Sequence, residues 1–187
     1  MVFVCGHHRL RNCLRNQCTN GASISVIDAR TTHVEQTEEL AAALAALVRP
    51  RDIIVLSGEM GAGKTAFVRG FATGMGVSSD ETVSSPTFTL VHTYDTGKLV
   101  IHHADLYRLG RLSDVEDLGL RELADLGDVV VIEWGNVAEE VLGDHLVVSL
   151  EVDDDEEDTR HVVVSVVGHT WDSRWEQLKR ALAKWGN

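Results

Sequence analysis

Between the β-branched run at residues 52–57 and a helical stretch at 64–73 stand Gly58-Glu59-Met60-Gly61-Ala62-Gly63-Lys64-Thr65, which fit G-x-x-x-x-G-K-[ST]. Strand, glycine-rich turn and helix is the order a phosphate-binding loop needs, and that context separates a working loop from a chance match. The glycines let the backbone turn so that successive N–H groups converge on a phosphate, and the following helix presents its positive end to the same charge. The binding set read from this loop is Glu59, Met60, Gly61, Ala62, Gly63, Lys64, Thr65 and Ala66. Lys64 is expected to bridge β- and γ-phosphates, and Thr65 to give its hydroxyl to Mg²⁺. The guanine-selecting Asn-Lys-x-Asp tetrapeptide is absent, so ATP is preferred to GTP by elimination.

A chain of 187 residues suffices for one domain and falls short of two ordinary ones. Its net charge of −12 would repel a phosphate backbone, which disfavours direct, tight binding to nucleic acid. No apolar run approaches the roughly 20 residues that cross a bilayer, so no membrane association is expected. Cys5, Cys13 and Cys18 are odd in number, lie in the first eighteen residues and lack the close pairs of a zinc site, which fits a reduced, cytoplasmic setting. Residues 1–27 carry three arginines and no acid, whereas all 29 acidic residues follow. That shift marks 1–27 as a disordered or non-native extension and 28–187 as a single domain.

Leu40, Ala43, Leu44 and Leu47 recur at helical spacing before Pro50, and Thr37 precedes them with acids directly behind it. Residues 87–94 and 98–103 flank Asp95-Thr96-Gly97, which has the composition of a hairpin turn. Ser113 stands three residues before Glu116, a capping-box spacing, so a short helix is expected through 118–123. The unalternating run 129–134, VVVIEW, reads as a strand covered on both faces at the sheet centre. A second hairpin is expected at 146–152 and 161–167, around six consecutive acids at 153–158 that read as a solvated turn. Trp171, Trp175, Leu178, Leu182 and Trp185 form a helical stripe for core packing or docking.

Magnesium in such sites usually takes a second contact from an acid at the end of a neighbouring strand. Glu133 closes VVVIE and Asp105 closes VIHHAD. Glu133 is the stronger choice, against an exposed strand-end acid; Asp105 competes with an ion pair to Arg108. Ser84-Ser85-Pro86-Thr87 is a possible switch segment or an ordinary turn. Trp134 either stacks on a ring or fills the core. The pairs His7-His8 and His102-His103 have no third ligand at a metal spacing, so no metal centre other than Mg²⁺ is expected.

Five blocks, GEMGAGKTAFVRG, VSSPTFTLVHTY, HHADLYRL, DLGLREL and VVVIEWG, stand in the order and spacing of the TsaE (YjeE) family, which the chain resembles over roughly residues 33–168. That resemblance implies a Mg²⁺-dependent P-loop ATPase accessory to threonylcarbamoyladenosine formation at adenosine 37 of ANN-reading tRNAs. TsaD and TsaB are the implied partners, and tRNA is met only through their complex. It implies a nucleotide role for Thr37, Mg²⁺ contacts from Thr65 and Glu133, and activity-linked positions at Asp105, Thr87 and Trp134. Lys64, Glu133 and Asp105 are the implied catalytic set.

The expected fold is α/β: a three-layer P-loop domain with a mixed central sheet, helices on its faces and an added antiparallel hairpin. Two other functions stay open. A small-molecule kinase would draw Arg108 and Arg111 from a lid, and a nucleotide-gated binding module would hydrolyse ATP only incidentally.

Overall fold

The computed structural model describes residues 26–186. Seven strands, β1 (Val26–Thr31), β2 (Ile53–Ser57), β3 (Val91–Asp95), β4 (Val100–Asp105), β5 (Val129–Glu133), β6 (His145–Val152) and β7 (Arg160–Val167), form one sheet in the order β1-β7-β6-β2-β5-β4-β3. The four inner strands β6, β2, β5 and β4 run parallel, while β7, β1 and β3 are antiparallel to their neighbours. The sheet is therefore mixed, as expected.

Side chains of a strand alternate between faces, and both faces are covered. Ile54, Leu56, Val129 and Val131 join a core with the helices α1 (Val34–Ala45), α2 (Lys64–Met75) and α6 (Trp175–Leu182). Ile53, Val55, Val130 and Ile132 join a second core, under α3 (Leu112–Glu116), α4 (Leu120–Asp125) and α5 (Glu139–Leu142). This is the three-layer α/β arrangement, and it explains why β2 and β5 are apolar without alternation. The α1 and α2 backbones touch closely: a Cβ at Gly70 would sit 2.2 Å from the Glu38 carbonyl oxygen, so any larger residue would pry the helices apart.

Several local expectations are corrected. Residues 87–90 are not strand; Leu90 has φ 66°, its N–H donates to the Pro86 carbonyl at 2.6 Å, and β3 begins only at Val91. The capping box at Ser113 does not form, because α3 starts at Leu112, two residues earlier than a Ser113 cap requires, with Arg111 at its cap and no side-chain cap bond. Gly119, at φ 61°, then separates α3 from α4. The acidic run, by contrast, is the exposed turn that was expected, ordered from within: Asp153 Oδ1 accepts from the backbone N–H groups of Asp155 and Glu156, and its Oδ2 meets His161 Nε2 at 2.6 Å.

The tryptophan stripe is core. Trp171, Leu178 and Leu182 are fully buried, with Trp175 and Trp185 nearly so, and Gly186 bridges to Ala29 of β1. Val26 and Ile27, the last residues of the acid-free segment, pair with Ser165 and Val164; the remainder of that segment, with Cys5, Cys13 and Cys18, lies outside the described residues. Among the described residues no helix is long and apolar enough to cross a membrane.

Candidate nucleotide site

The parallel strands β2, β5 and β4 end side by side, with Leu56 opposite Glu133 and Glu133 opposite Asp105. The register alone brings the glycine loop after β2 together with both carboxylates, at the carboxyl edge where open α/β sheets bind ligands. In the loop Gly58, Gly61 and Gly63 have φ of 139°, 81° and 103°. A Cβ at Gly58 would lie 2.3 Å from the Leu150 carbonyl oxygen, so this first glycine is required by space as well as by conformation.

Helix α2 starts at once. Its first intrahelical bond here is from the Phe67 N–H to the Gly63 carbonyl at 2.9 Å. The N–H groups of Gly63, Lys64, Thr65 and Ala66 are thus the four that a helix leaves without an internal partner, and they face an anion's preferred position. Glu59 and Met60 form the tip of the loop, where Met60 is exposed.

Lys64 is 5% exposed, and its Nζ donates to the carbonyls of Gly58 at 2.9 Å and Glu59 at 2.8 Å. It also lies 3.8 Å from the ring centroid of Trp134. Burial lowers its pKa from the ordinary lysine value, against the opposing pull of Glu133 and Asp105. Trp134 is half-buried, with its other ring neighbour Tyr107 at 5.1 Å, and holds φ 61° right after Glu133. Its N–H donates to the Leu56 carbonyl at 3.0 Å, which fixes this turn beside the loop.

Thr65 Oγ1 donates to Glu133 Oε1 at 2.9 Å, and the same oxygen meets His103 Nε2 at 2.9 Å. Glu133 is 3% exposed, so it is not the exposed strand-end acid that was the alternative. Asp105 is also buried and makes no ion pair with Arg108, whose guanidinium instead lies over Phe88. Its Oδ2 accepts from the hydroxyls of Ser85 and, at 2.8 Å, Thr87, and its Oδ1 accepts from the Tyr107 N–H at 3.0 Å. Burial pushes the Asp105 carboxyl up, but these bonds, led by Ser85, and the nearby His103 outweigh it and hold it below the usual value. The 84–87 segment is thereby tied to the end of β4.

Thr37 Oγ1 lies 2.8 Å from Thr31 Oγ1 in the buried start of α1. It lines a cavity of about 240 Å³ that also touches Gly63, Ala66 and Arg160. Every residue expected at the site therefore falls on this one edge. Sequence reasoning left two of its residues unassigned. His103 was passed over as half of a histidine pair, although its place two residues before Asp105 on a buried strand put it on the same face as that carboxylate. Arg160 was lost behind the acidic run, although one base closing six acids is itself a signal.

Glu133 and Thr65 offer one carboxylate and one hydroxyl oxygen 2.9 Å apart. That pair fits Mg²⁺, which takes hard oxygens, usually one or two from protein with the rest from water and phosphate. The orphan amides and buried lysine likewise fit a polyphosphate.

Residues 31–162 match the family model described as threonylcarbamoyl adenosine biosynthesis protein TsaE. The tRNA threonylcarbamoyladenosine biosynthesis protein TsaE of Bacillus subtilis is 37% identical over 153 residues, covering 81% of this chain and 92% of that one. The protein of the same name from Streptomyces coelicolor is 40% identical over 141 residues, covering 71% and 92%. The crystal structure of Bacillus subtilis YdiB is similar at a TM-score of 0.70 and 31% identity, covering 88% of this chain and 98% of that one.

Proposed function

The chain belongs to the TsaE family, and we propose that it is a cytoplasmic, Mg²⁺-dependent ATPase that serves threonylcarbamoyladenosine formation at adenosine 37 of ANN-reading tRNAs, with TsaD and TsaB as partners. The observation that carries this reading is the convergence of Lys64, Thr65, Glu133 and Asp105 at the ends of three adjacent parallel strands.

ATP would lie with its β-phosphate against the N–H groups of residues 63–66, and Lys64 would leave the Gly58 and Glu59 carbonyls to bridge β- and γ-phosphates. A phosphate there restores the counter-charge that burial denies the ammonium. Thr65 and Glu133 would hold Mg²⁺, which neutralises charge developing on the phosphates. His103 keeps the Glu133 carboxylate turned toward Thr65. Asp105 and Thr87, joined at 2.8 Å, would orient a water attacking the γ-phosphate or a water on the ion. Trp134 confines Lys64 from the side.

Arg108 is occupied with Phe88, and Arg160 with loop carbonyls. Neither supplies the transition-state cation that makes phosphoryl transfer fast, so turnover is expected to be slow alone and faster with partners. The decisive measurement is ATP turnover by the purified chain, alone and with TsaD and TsaB, with Lys64→Ala as control. Partner stimulation that vanishes in the control supports the accessory ATPase. Binding without stimulation, together with ADP production that depends on a small-molecule acceptor, would replace it with the kinase. If Glu133→Ala abolished turnover yet left tRNA modification intact, hydrolysis would be incidental and the chain a nucleotide-gated module.

A further inference from the structure

Arg160, the first residue of β7, has its guanidinium under the glycine loop. Its Nε donates to the Ala62 carbonyl at 3.0 Å and its Nη2 to the Gly61 carbonyl at 3.4 Å. On the other side its Nη1 donates to the carbonyls of Glu157 at 2.5 Å and Thr159 at 3.0 Å. One planar fork thus joins the loop to the hairpin between β6 and β7. That hairpin is itself anchored: Thr159 Oγ1 donates to Glu156 Oε2 at 2.8 Å, and the same oxygen accepts from Arg30 at 2.7 Å.

In a trans peptide the carbonyl of one residue and the N–H of the next point in opposite directions. A guanidinium that draws the Ala62 carbonyl toward itself therefore turns the Gly63 N–H away, to the side where an anion would sit. Gly63 is the cap of α2, so this N–H is the first of the four orphan donors. The Gly61–Ala62 peptide is held from both ends, since the Gly61 carbonyl meets Arg160 while the Ala62 N–H donates to the Glu59 carbonyl at 3.1 Å. Glycines that permit the turn also permit others; Arg160 selects among them.

We propose that Arg160 is a positioning residue for the phosphate site, acting through the Gly61 and Ala62 carbonyls to preset the amides that receive the β-phosphate. The proposal rests on the reading of residues 58–65 as a phosphate loop. It also gives the β6–β7 hairpin a part in nucleotide binding through the carbonyls of the loop. A role through the β-phosphate has a signature: ADP and ATP must suffer alike, whereas a direct γ-phosphate contact would penalise ATP alone.

The test is the affinity of ADP and of a non-hydrolysable ATP analogue for the full chain carrying Arg160→Ala, alongside the wild type and Lys64→Ala. Both affinities are expected to fall about ten- to hundredfold, the effect of losing charge-assisted hydrogen bonds, and ethylguanidinium at millimolar concentration, which fits the space left by the missing stem, should restore much of the loss. Arg160→Lys keeps the charge and reach but cannot hold two carbonyls in one plane, so it too should bind both nucleotides more weakly, and it carries the test if the alanine variant fails to fold. Wild-type affinity in either variant, a loss confined to the ATP analogue, or a loss that ethylguanidinium does not reverse in Arg160→Ala overturns the proposal. A wild-type chain that binds neither nucleotide overturns the phosphate-loop reading and this proposal with it; Lys64→Ala losing affinity while Arg160→Ala keeps it overturns this proposal alone.

Discussion

Two cations are buried at opposite ends of β2, and they are held in opposite ways. Arg174 packs at the start of the strand, where both terminal nitrogens meet Asp52 at 2.5 and 2.7 Å, the Leu47 and Thr170 carbonyls accept from it, and Trp171 covers its face at 3.7 Å. Lys64 packs just past the end of the strand, where its hydrogen bonds among the described residues go to two carbonyls and to no carboxylate. The first cation is neutralised by its own counter-ion, although its buried Nε has no hydrogen-bond partner, and it closes the C-terminal helix onto the sheet. The second has a depressed pKa and two carboxylates in view but not in contact. A buried charge whose partner is built in belongs to the structure, and one whose partner is withheld awaits a ligand.

The largest effect should come from breaking the Arg174–Asp52 pair. Arg174→Met leaves Asp52 buried without its cation and is expected to cost about 3–5 kcal/mol, read as a lower midpoint in urea unfolding at unchanged slope. Replacing both members, Asp52→Leu with Arg174→Met, should recover part of that loss. Recovery stays partial because Asp52 Oδ2 also accepts from the Arg49 N–H at 2.7 Å. If Arg174→Met unfolded no earlier than wild type, the contrast with Lys64 would lose its structural half.

At the other end of β2 the expected loss is in function. Lys64→Ala should reduce ATP turnover by roughly a hundredfold to a thousandfold, the scale for one preorganised donor to a developing charge. Stability should change little, because the change removes a desolvated charge along with its bonds. Turnover and urea unfolding measured on one preparation decide this. A Lys64→Ala chain that lost several kcal/mol of stability would make Lys64 a second Arg174.

The two ends also differ in how much the sequence disclosed. The phosphate loop was legible because its chemistry is local: glycines, lysine and threonine stand within eight residues, between a strand and a helix. Glu133 and Asp105 were legible as strand-end acids, but not that β4 and β5 are neighbours in register, since strand order is a long-range choice. The Arg174–Asp52 pair spans 122 positions and left no periodic trace. Residues 87–90 were misread as strand because Thr-Phe-Thr-Leu has β composition, while the bond from Asp105 N–H to the Leu90 carbonyl and the Asp105 clasp on Thr87 hold them as a turn. Arg160 and His103 escaped because each acts on its target from another strand.

The smallest effect concerns Asp105, the counterpart of Asp52 whose donors are neutral. Three donors satisfy its carboxylate, the Ser85 and Thr87 hydroxyls and the Tyr107 N–H, and none of them is a cation. Its negative charge is thereby kept available to Lys64 and to whatever Lys64 binds. Although burial alone would raise it, the folded-state pKa is held below the ordinary carboxylate value, so the folded chain releases this proton more readily than the unfolded chain. The stability it contributes is then fully present above the unfolded pKa near 4 and lost as pH falls through the lowered folded value. Asp105→Asn keeps the shape and removes the titration, and should cost about 1 kcal/mol at pH 7. In urea unfolding the gap between wild type and Asp105→Asn should shrink as pH is lowered through that window. A gap that stayed constant from neutral to acid pH would mean that Asp105 is protonated in the folded chain or that its three donors bind an amide equally well. In either case its charge would not be the one that Lys64 feels.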